Sequence, residues 1–236
     1  LKSFGVDETN CFQANEVCGQ DMWYISTKPL NFKVPDNAIL YFGRFVEFKG
    51  IPILLEAFKQ FNKTNPELHL LLVGHGPLKR TYYEIVENQN IKNVTICKPV
   101  YHINQKKELF NKVKFAVIPS TITKSGSSEG GPIVVLEYLS AGLPILCSDK
   151  LGATNHFIQN GINGYVFEDR NILDLADKLN KLNRDINESR ITRDSTRTTY
   201  MNIPGVENQV EALNNAINFV IDKNKSVILK RKRDNY

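Results

Sequence analysis

"AILYFGRFVEFKGIPILLEAFKQF", residues 38–61, holds a strand, a turn and a helix in one run. Residues 38–44 are β-rich and apolar without alternation, the pattern of a strand covered on both faces. From Ile51 the period changes, and Leu54, Ala57, Phe58 and Phe61 fall on one helical face. Between the two stand Arg44, Lys49 and Gly50, so the turn leaving the carboxyl end of the strand carries two cations and a glycine.

The same unit recurs downstream. "LHLLLVG" (68–74) reads as a second strand ending in the glycine turn "GHGP", with a helix over 78–88. "NVTIC" (93–97) and "KFAVIP" (114–119) are further strands, with the helix "QKKELFNK" (105–112) between them. A helix over 132–141, the strand "PILCS" (144–148), a short helix near 153–159 and the strand "GYVF" (164–167) follow. Strands alternating with helices at this spacing predict an α/β fold, a parallel sheet with helices on both faces. Beyond residue 170 the pattern is helical. Ile172, Leu175, Leu179 and Leu182 form one face, and Val206, Val210, Leu213, Ile217 and Val220 a second stripe. That second stripe is either core or a face for another domain, with partial exposure the favoured reading. Between them, 184–200 has little apolar surface and reads as an exposed helix. The division expected is a linker over 1–35, a ligand-binding core over 36–170, and helices with a basic tail over 171–236 in the same domain.

Composition sets outer bounds. Of 236 residues 42% are hydrophobic and 23% charged, enough to bury a sizeable core. A net charge of +5 fits an anionic substrate or a membrane surface and does not indicate nucleic acid. Cys11, Cys18, Cys97 and Cys147 lack metal-ligand spacing and read as free cytosolic thiols. No signal peptide and no apolar run near the roughly 18 residues of a membrane span occurs. The expected location is therefore cytoplasmic, where the sequons at Asn62, Asn93, Asn187 and Asn224 carry no meaning. The cluster Lys230–Arg233 reads first as a solvated end. Its second reading is peripheral contact with anionic lipid at the inner face of a membrane. A chain opening on Leu1 rather than Met is expected to be a piece of a longer one.

In an open α/β sheet, ligands bind beyond the carboxyl ends of the strands. The turns to inspect are therefore Arg44 to Lys49, Gly74 to Gly76, residues 98–101, and the loop 119–131. That loop runs into "SSEGGPIVVLEYLSAGLP" (127–144), where Pro132 suits the first helical position and Gly130 and Gly131 let a ligand approach the backbone. The first-turn amides then make an anion site with about half a positive charge from the helix dipole. Glu137 lies inside an apolar helix, about 8 Å from its start at 1.5 Å per residue. An ionised carboxylate there needs hydrogen-bonding partners. A ligand hydroxyl pair would serve, and so would a buried Arg or Tyr. Glu129, just before the glycines, is a second ligand contact or a plain loop residue. Arg44 and Lys49, read jointly, form a clamp for a diphosphate. "GHGPLK" (74–79) lacks the third glycine of a dinucleotide fingerprint, no P-loop or nucleophile elbow occurs, and no Asp-x-Asp pair offers a metal site. Neither a metal nor a separate cofactor is expected.

These residues carry a family likeness. "FGVD" (4–7), "YFGRFVEFKG" (41–50), "LLLVGHGP" (70–77), "VIPS" (117–120), "EGGPIVVLE" (129–137), "AGLPILCSD" (141–149) and "NGINGYVF" (160–167) stand in family order. The chain resembles the C-terminal, nucleotide-sugar-binding domain of GT-B glycosyltransferases, group 1 of the retaining class (family 4). The resemblance implies the Rossmann-like C-terminal half of a GT-B fold. It also implies that Arg44 and Lys49 contact the donor diphosphate and act in catalysis with Glu129, which touches the donor sugar. Glu137 would bind the ribose, backbone near Ile133 and Val134 the phosphates, and Val100 the base. Gly130, Gly131, Gly74 and His75 would complete the substrate site. The family usually has an aromatic at Gly131 and a glycine at Lys98, so the base (UDP or GDP) and the sugar stay open.

The function implied is hexose transfer, with retention, from a nucleotide-sugar to a glycan or lipid-linked acceptor in surface polysaccharide or glycolipid synthesis. The N-terminal acceptor domain would be the absent partner. A non-catalytic nucleotide-sugar-binding subunit of a split transferase, or a nucleotide-sugar epimerase, are the alternatives.

Overall fold

The apolar runs pair with one another in parallel. The computed structural model describes residues 29–130, 133–152, 157–203 and 206–233. Its strands are β1 (Ala38–Phe42), β2 (His69–Val73), β3 (Val94–Cys97), β4 (Phe115–Ile118), β5 (Ile145–Ser148) and β6 (Gly164–Phe167). They form one six-stranded sheet in the order β3-β2-β1-β4-β5-β6, and every neighbouring pair is parallel. β1 lies at the centre, with Leu40 opposite Leu71 on one side and Ala116 on the other.

Both faces are covered, which is why the strands are apolar at nearly every position, His69, Thr95 and Ser148 being the polar ones. Ile39, Leu70, Leu72, Phe115, Val117 and Leu146 pack into one core with Leu54 and Phe58 of α1 (Ile51–Phe61). Tyr82 of α2 (Lys79–Asn88) and Leu175 and Leu179 of α5 (Ile172–Asn187) complete that core. The alternate strand residues point the other way. There Phe42 meets Phe110 of α3 (Ile103–Lys112) at 5.7 Å between ring centroids, and Phe110 meets Tyr138 of α4 (Ile133–Ser140) at 4.8 Å.

The stretch 184–200 departs from the exposed helix expected of it. It is the end of α5, a turn, and most of α6 (Arg193–Met201), with Asp185, Ile191, Thr196, Thr199 and Tyr200 buried. Polar groups do the burying. The Arg193 guanidinium donates to the carbonyls of Phe110 (2.9 Å), Val113 (2.7 Å) and Ala141 (3.1 Å), tying α6 across the ends of α3 and α4. Asp185 accepts from the Tyr165 hydroxyl and from Arg190. A reading based on apolar periodicity passes over such contacts.

α7 (Val206–Arg233) belongs to a second compact unit. On it Val210, Leu213, Ile217 and Val220 are exposed, as favoured for that stripe. Cys97 and Cys147 are buried, whereas Cys11 and Cys18 lie outside the described residues, as does most of the expected helix near 153–159. Asn62 and Asn93 act as framework. The Asn62 amide donates to the carbonyls of Asn65 and Leu68, and Asn93 adopts a left-handed φ of 57° and donates to Pro66.

Candidate functional site

The chain leaves β1 outward through β2 and β3, then returns to β4 on the other flank of β1. At that reversal the turns after β1 and β4 diverge, which opens a crevice at the carboxyl edge. A cleft of about 270 Å³ lies at this edge, lined by Phe42, Gly43, Arg44, Gly74, His75, Val100, Tyr101 and Lys106 among others. Arg44, Gly74, His75 and Val100, expected from sequence to share a ligand, are thus brought together. Gly74 is where two turns touch, since a Cβ there would sit 1.9 Å from the Gly43 carbonyl oxygen.

The turn after β1 is built around Phe48. Arg44 stands 5.8 Å and the Lys49 ammonium 5.6 Å from the centroid of its ring, so one aromatic ring gathers both cations. The Tyr41 hydroxyl donates to the Arg44 carbonyl at 2.8 Å and fixes the backbone beneath the guanidinium. Burial first, then the neighbouring Tyr82, push the Tyr41 hydroxyl well above its ordinary range and keep it a donor. Gly50 presses this turn against the end of β4. Its φ is +64°, and a Cβ would lie 1.8 Å from the Pro119 carbonyl oxygen. Thr121 N–H donates to the Phe48 carbonyl across the same seam (2.8 Å).

The result is a direct ion pair between Lys49 and Glu129, with the Ser120 hydroxyl donating to the other carboxylate oxygen. Both pair partners are only 12% exposed. The carbonyl of Glu129 accepts from Gly152 N–H at 3.1 Å, which anchors the loop ahead of α4. Gly130 and Ile133 are exposed and Val134 is half-buried at the start of that helix, whereas Gly131 and Pro132 lie outside the described residues.

Glu137, on α4, meets a partner that neither sequence reading named. Lys106 of α3 reaches it at 2.6 Å, with side-chain exposures of 18% and 15%. Lys106 also stands 5.6 Å from the centroid of the Phe42 ring and lines the cleft beside Arg44. Arg44 itself makes no ion pair among the described residues. Sequence reasoning passed over Lys106 and did not single out Tyr101, Phe48 and Ser120 within the turns it marked. Lys106 sits in a helix that reads as solvated surface, and its only signal is that α3 begins just past the carboxyl end of β3. Tyr101 is 76% exposed at the mouth and its ring meets that of His75 at 6.0 Å. Among the described residues no group of three His, Cys, Asp or Glu side chains is placed to hold a metal ion. None of the helices there is long and apolar enough to cross a membrane.

A parallel sheet of this order, with acids and cations at its topological switch point, is a doubly wound α/β architecture of the kind that binds ligands at that edge. Residues 25–198 match the family described as "Glycosyl transferases group 1", and the chain belongs to that family. It is similar to a glycosyltransferase assigned to colanic acid biosynthesis, WcaL of Escherichia coli (strain K12). Identity there is 21% over 161 residues, 68% of this chain and 39% of that protein. The poly(ribitol-phosphate) alpha-N-acetylglucosaminyltransferase of Staphylococcus aureus (strain COL) is 26% identical over 163 residues, 69% of this chain and 31% of that protein. In fold the chain is similar to a sucrose-phosphate synthase of Thermosynechococcus elongatus. The TM-score is 0.69 at 19% identity, covering 88% of this chain and 52% of that one. The chain spans about two fifths of the length of the curated relatives it matches. The sheet is the Rossmann-like, C-terminal half of the two-domain GT-B architecture.

Proposed function

We propose that this chain is the donor-binding domain of a retaining glycosyltransferase, moving a hexose-type sugar from a nucleotide-sugar to a glycan or lipid-linked acceptor. The observation that carries the reading is the convergence of Arg44, the Lys49–Glu129 pair and the Lys106–Glu137 pair at one edge of the sheet. Surface polysaccharide or glycolipid synthesis is the setting that relatives such as the poly(ribitol-phosphate) and colanic-acid enzymes suggest. UDP stands in the names of several similar structures and is the first nucleotide to try.

Each group has a task in this scheme. The donor's diphosphate lies against Arg44 and Lys49, with the first amides of α4 near Ile133 and Val134 completing the anion site. Phosphate competes with Glu129 for Lys49, and the released carboxylate oxygen then accepts a hydroxyl of the donor sugar. Glu137 has two oxygens. One keeps Lys106 while the other accepts the ribose hydroxyls, so its charge is never left unpaired. The base enters the mouth near Val100, Gly74 and His75. As the bond between anomeric carbon and phosphate oxygen breaks, charge grows on the leaving diphosphate, where the cations and helix amides already point. The acceptor hydroxyl attacks from the same face, its proton leaving towards the departing phosphate. The acceptor half is contributed by a further domain.

The test is calorimetry of the chain with a panel of nucleoside diphosphates, comparing wild type with Arg44→Ala. Binding of one diphosphate, weakened about tenfold or more by the substitution, supports the clamp. Unchanged affinity in the variant rejects it. Relatives carry both alpha and beta linkages in their names, so retention is tested separately by the anomer of the product.

A further inference from the structure

At the opposite end of the strands lies a second opening, larger than the first and unlike it in chemistry. It measures about 440 Å³ and is lined by Lys59, Lys63 and Lys92 with Asn62, Asn90 and Asn93. These residues come from the last turn of α1, the loop after it, and the loop between α2 and β3. The length of β2 separates this opening from the donor cleft, on the order of 15 Å at 3.3 Å per residue.

Several other lysines among the described residues are matched, although Lys33, Lys98, Lys107 and Lys124 hold no carboxylate either. Lys49, Lys106, Lys112, Lys150 and Lys178 each hold a carboxylate, and Lys114 holds the side-chain oxygens of Asn183 and Asn187. Lys59, Lys63 and Lys92 have no such partner among the described residues, and no acidic side chain lines the opening. Capping of the two helix ends does not account for them. The carbonyls of Phe58, Gln60 and Phe61 at the end of α1 accept from Asn62, Lys63 and Thr64 N–H groups. Those of Ile85, Val86 and Glu87 at the end of α2 accept from Gln89, Ile91 and Asn90. The floor is held by hydrogen bonds of its own, Asn93 donating to the Asn62 side-chain oxygen (3.2 Å) and to the Pro66 carbonyl (2.8 Å). Three lysines from two stretches of the chain, 59–63 and 90–93, therefore line a cleft that no acidic side chain enters.

We propose that this opening is a second anion site, one that takes a phosphate ester, soluble or presented as a lipid headgroup. A phosphate ester offers several charged oxygens to donors arriving from several directions, where a carboxylate offers one charge in one plane. The cleft has room for the ester's organic part as well as its phosphate. Bound there, the ester tethers the domain to an anionic polymer or surface on the side away from the donor.

The experiment follows backbone amide resonances of the chain while sn-glycerol 3-phosphate is added. In parallel it measures sedimentation with vesicles of phosphatidylglycerol and phosphatidylcholine against phosphatidylcholine alone. The comparison is the triple variant Lys59→Gln, Lys63→Gln, Lys92→Gln. Its melting temperature and UDP response serve as controls that the fold and the donor cleft are intact. The expected result is saturable shifts at Asn62, Lys63, Asn90 and Lys92, weakened about tenfold or more in the variant. Lysine-dependent binding to the phosphatidylglycerol vesicles identifies the headgroup as the source. Saturable glycerol phosphate binding with vesicle binding equal in both proteins identifies a soluble ester. No saturable response to either probe, or a response that the triple variant leaves intact, overturns the proposal.

Discussion

Replacing either partner of the Lys49–Glu129 pair separates its roles in stability and in binding. In the ligand-free protein one carboxylate oxygen holds the Lys49 ammonium and the other accepts from Ser120, with both pair partners 12% exposed. If Lys49 is destined for the donor's diphosphate, Glu129 is its competitor before the donor arrives. Lys49→Met then removes a charge-assisted contact to phosphate worth about 1.5–3 kcal/mol, roughly ten- to hundredfold in UDP affinity. It also leaves Glu129 with one hydroxyl for company. Breaking a fully buried pair costs about 3–5 kcal/mol. The residual exposure lets water reach this one, so a loss of about 1–3 kcal/mol is expected.

Glu129→Gln does the reverse. The amide keeps the Ser120 contact and frees the ammonium, so UDP binds as well as before or more tightly, while a UDP-sugar loses its hydroxyl contact. The double variant regains part of the stability lost with Lys49→Met, because no charge is stranded. Urea unfolding gives the stabilities and calorimetry with UDP and the UDP-sugar gives the affinities. Should Glu129→Gln weaken UDP as much as Lys49→Met, the acid's task is to hold the lysine in place, and the exchange of partners is wrong.

Glu137→Gln should weaken a nucleoside diphosphate but leave inorganic pyrophosphate unaffected, and equal losses in calorimetry would remove its ribose role. Lys106→Met should weaken nucleotide binding as well, about tenfold, and should destabilise more than Glu137→Gln because it strands a half-buried carboxylate. Gly50→Ala meets both a φ of +64° and the Pro119 carbonyl, so a loss of about 2–4 kcal/mol is expected in thermal or urea unfolding. At Asp185, burial pushes the carboxyl up, but hydrogen bonds from Tyr165 and Arg190 outweigh it and hold the group below its ordinary 3.8. A depressed native value means that its stabilisation is complete above 3.8 and is lost as pH falls through the lower native value. Asp185→Asn should therefore flatten the acid limb of a stability-against-pH curve while lowering stability at neutral pH.

How much of this was legible beforehand depended on what kind of residue did the burying. The six strands stand within a residue or two of the runs that named them, because strands covered on both faces are mostly apolar and so stand out as runs. α1 runs over the residues its apolar face marked, 51–61. Positions where polar side chains supply the contact were opaque. Arg193 looks like a surface charge until its guanidinium is seen donating to three carbonyls 52 to 83 residues distant, at the ends of two helices. The site divides along the same line. Arg44, Gly74, His75 and Val100 could be grouped because each follows a strand in a parallel sheet, and topology then brings their turns to one edge. The partner of Glu137 could not be named, since a lysine one turn into α3 pairs with it only once β3 and β4 have taken opposite flanks of β1.

That pairing bears on how the edge handles charge. Arg44, Lys49 and Lys106 against Glu129 and Glu137 leave the group with a single net positive charge, carried in the free state by the unpaired guanidinium. An empty site with three bare cations would repel itself, and one with two bare acids would repel the donor. Pairing avoids both, and on the proposed reading the Lys49–Glu129 pair must open when a diphosphate arrives, because a lysine locked to its acid contributes little net field. The exposures set how readily each opens. At 12% on both partners the Lys49–Glu129 pair is more shielded from water than Lys106–Glu137 at 18% and 15%, and it also carries Ser120. The pair assigned to the sugar and the diphosphate is therefore the harder to open. On the proposed reading Arg44, which has no ion pair to surrender, would meet the phosphate first. Binding energy gained there and at the nucleoside then goes towards prising Lys49 from Glu129. A donor lacking its nucleoside would leave that pair shut, and with it the carboxylate assigned to the sugar.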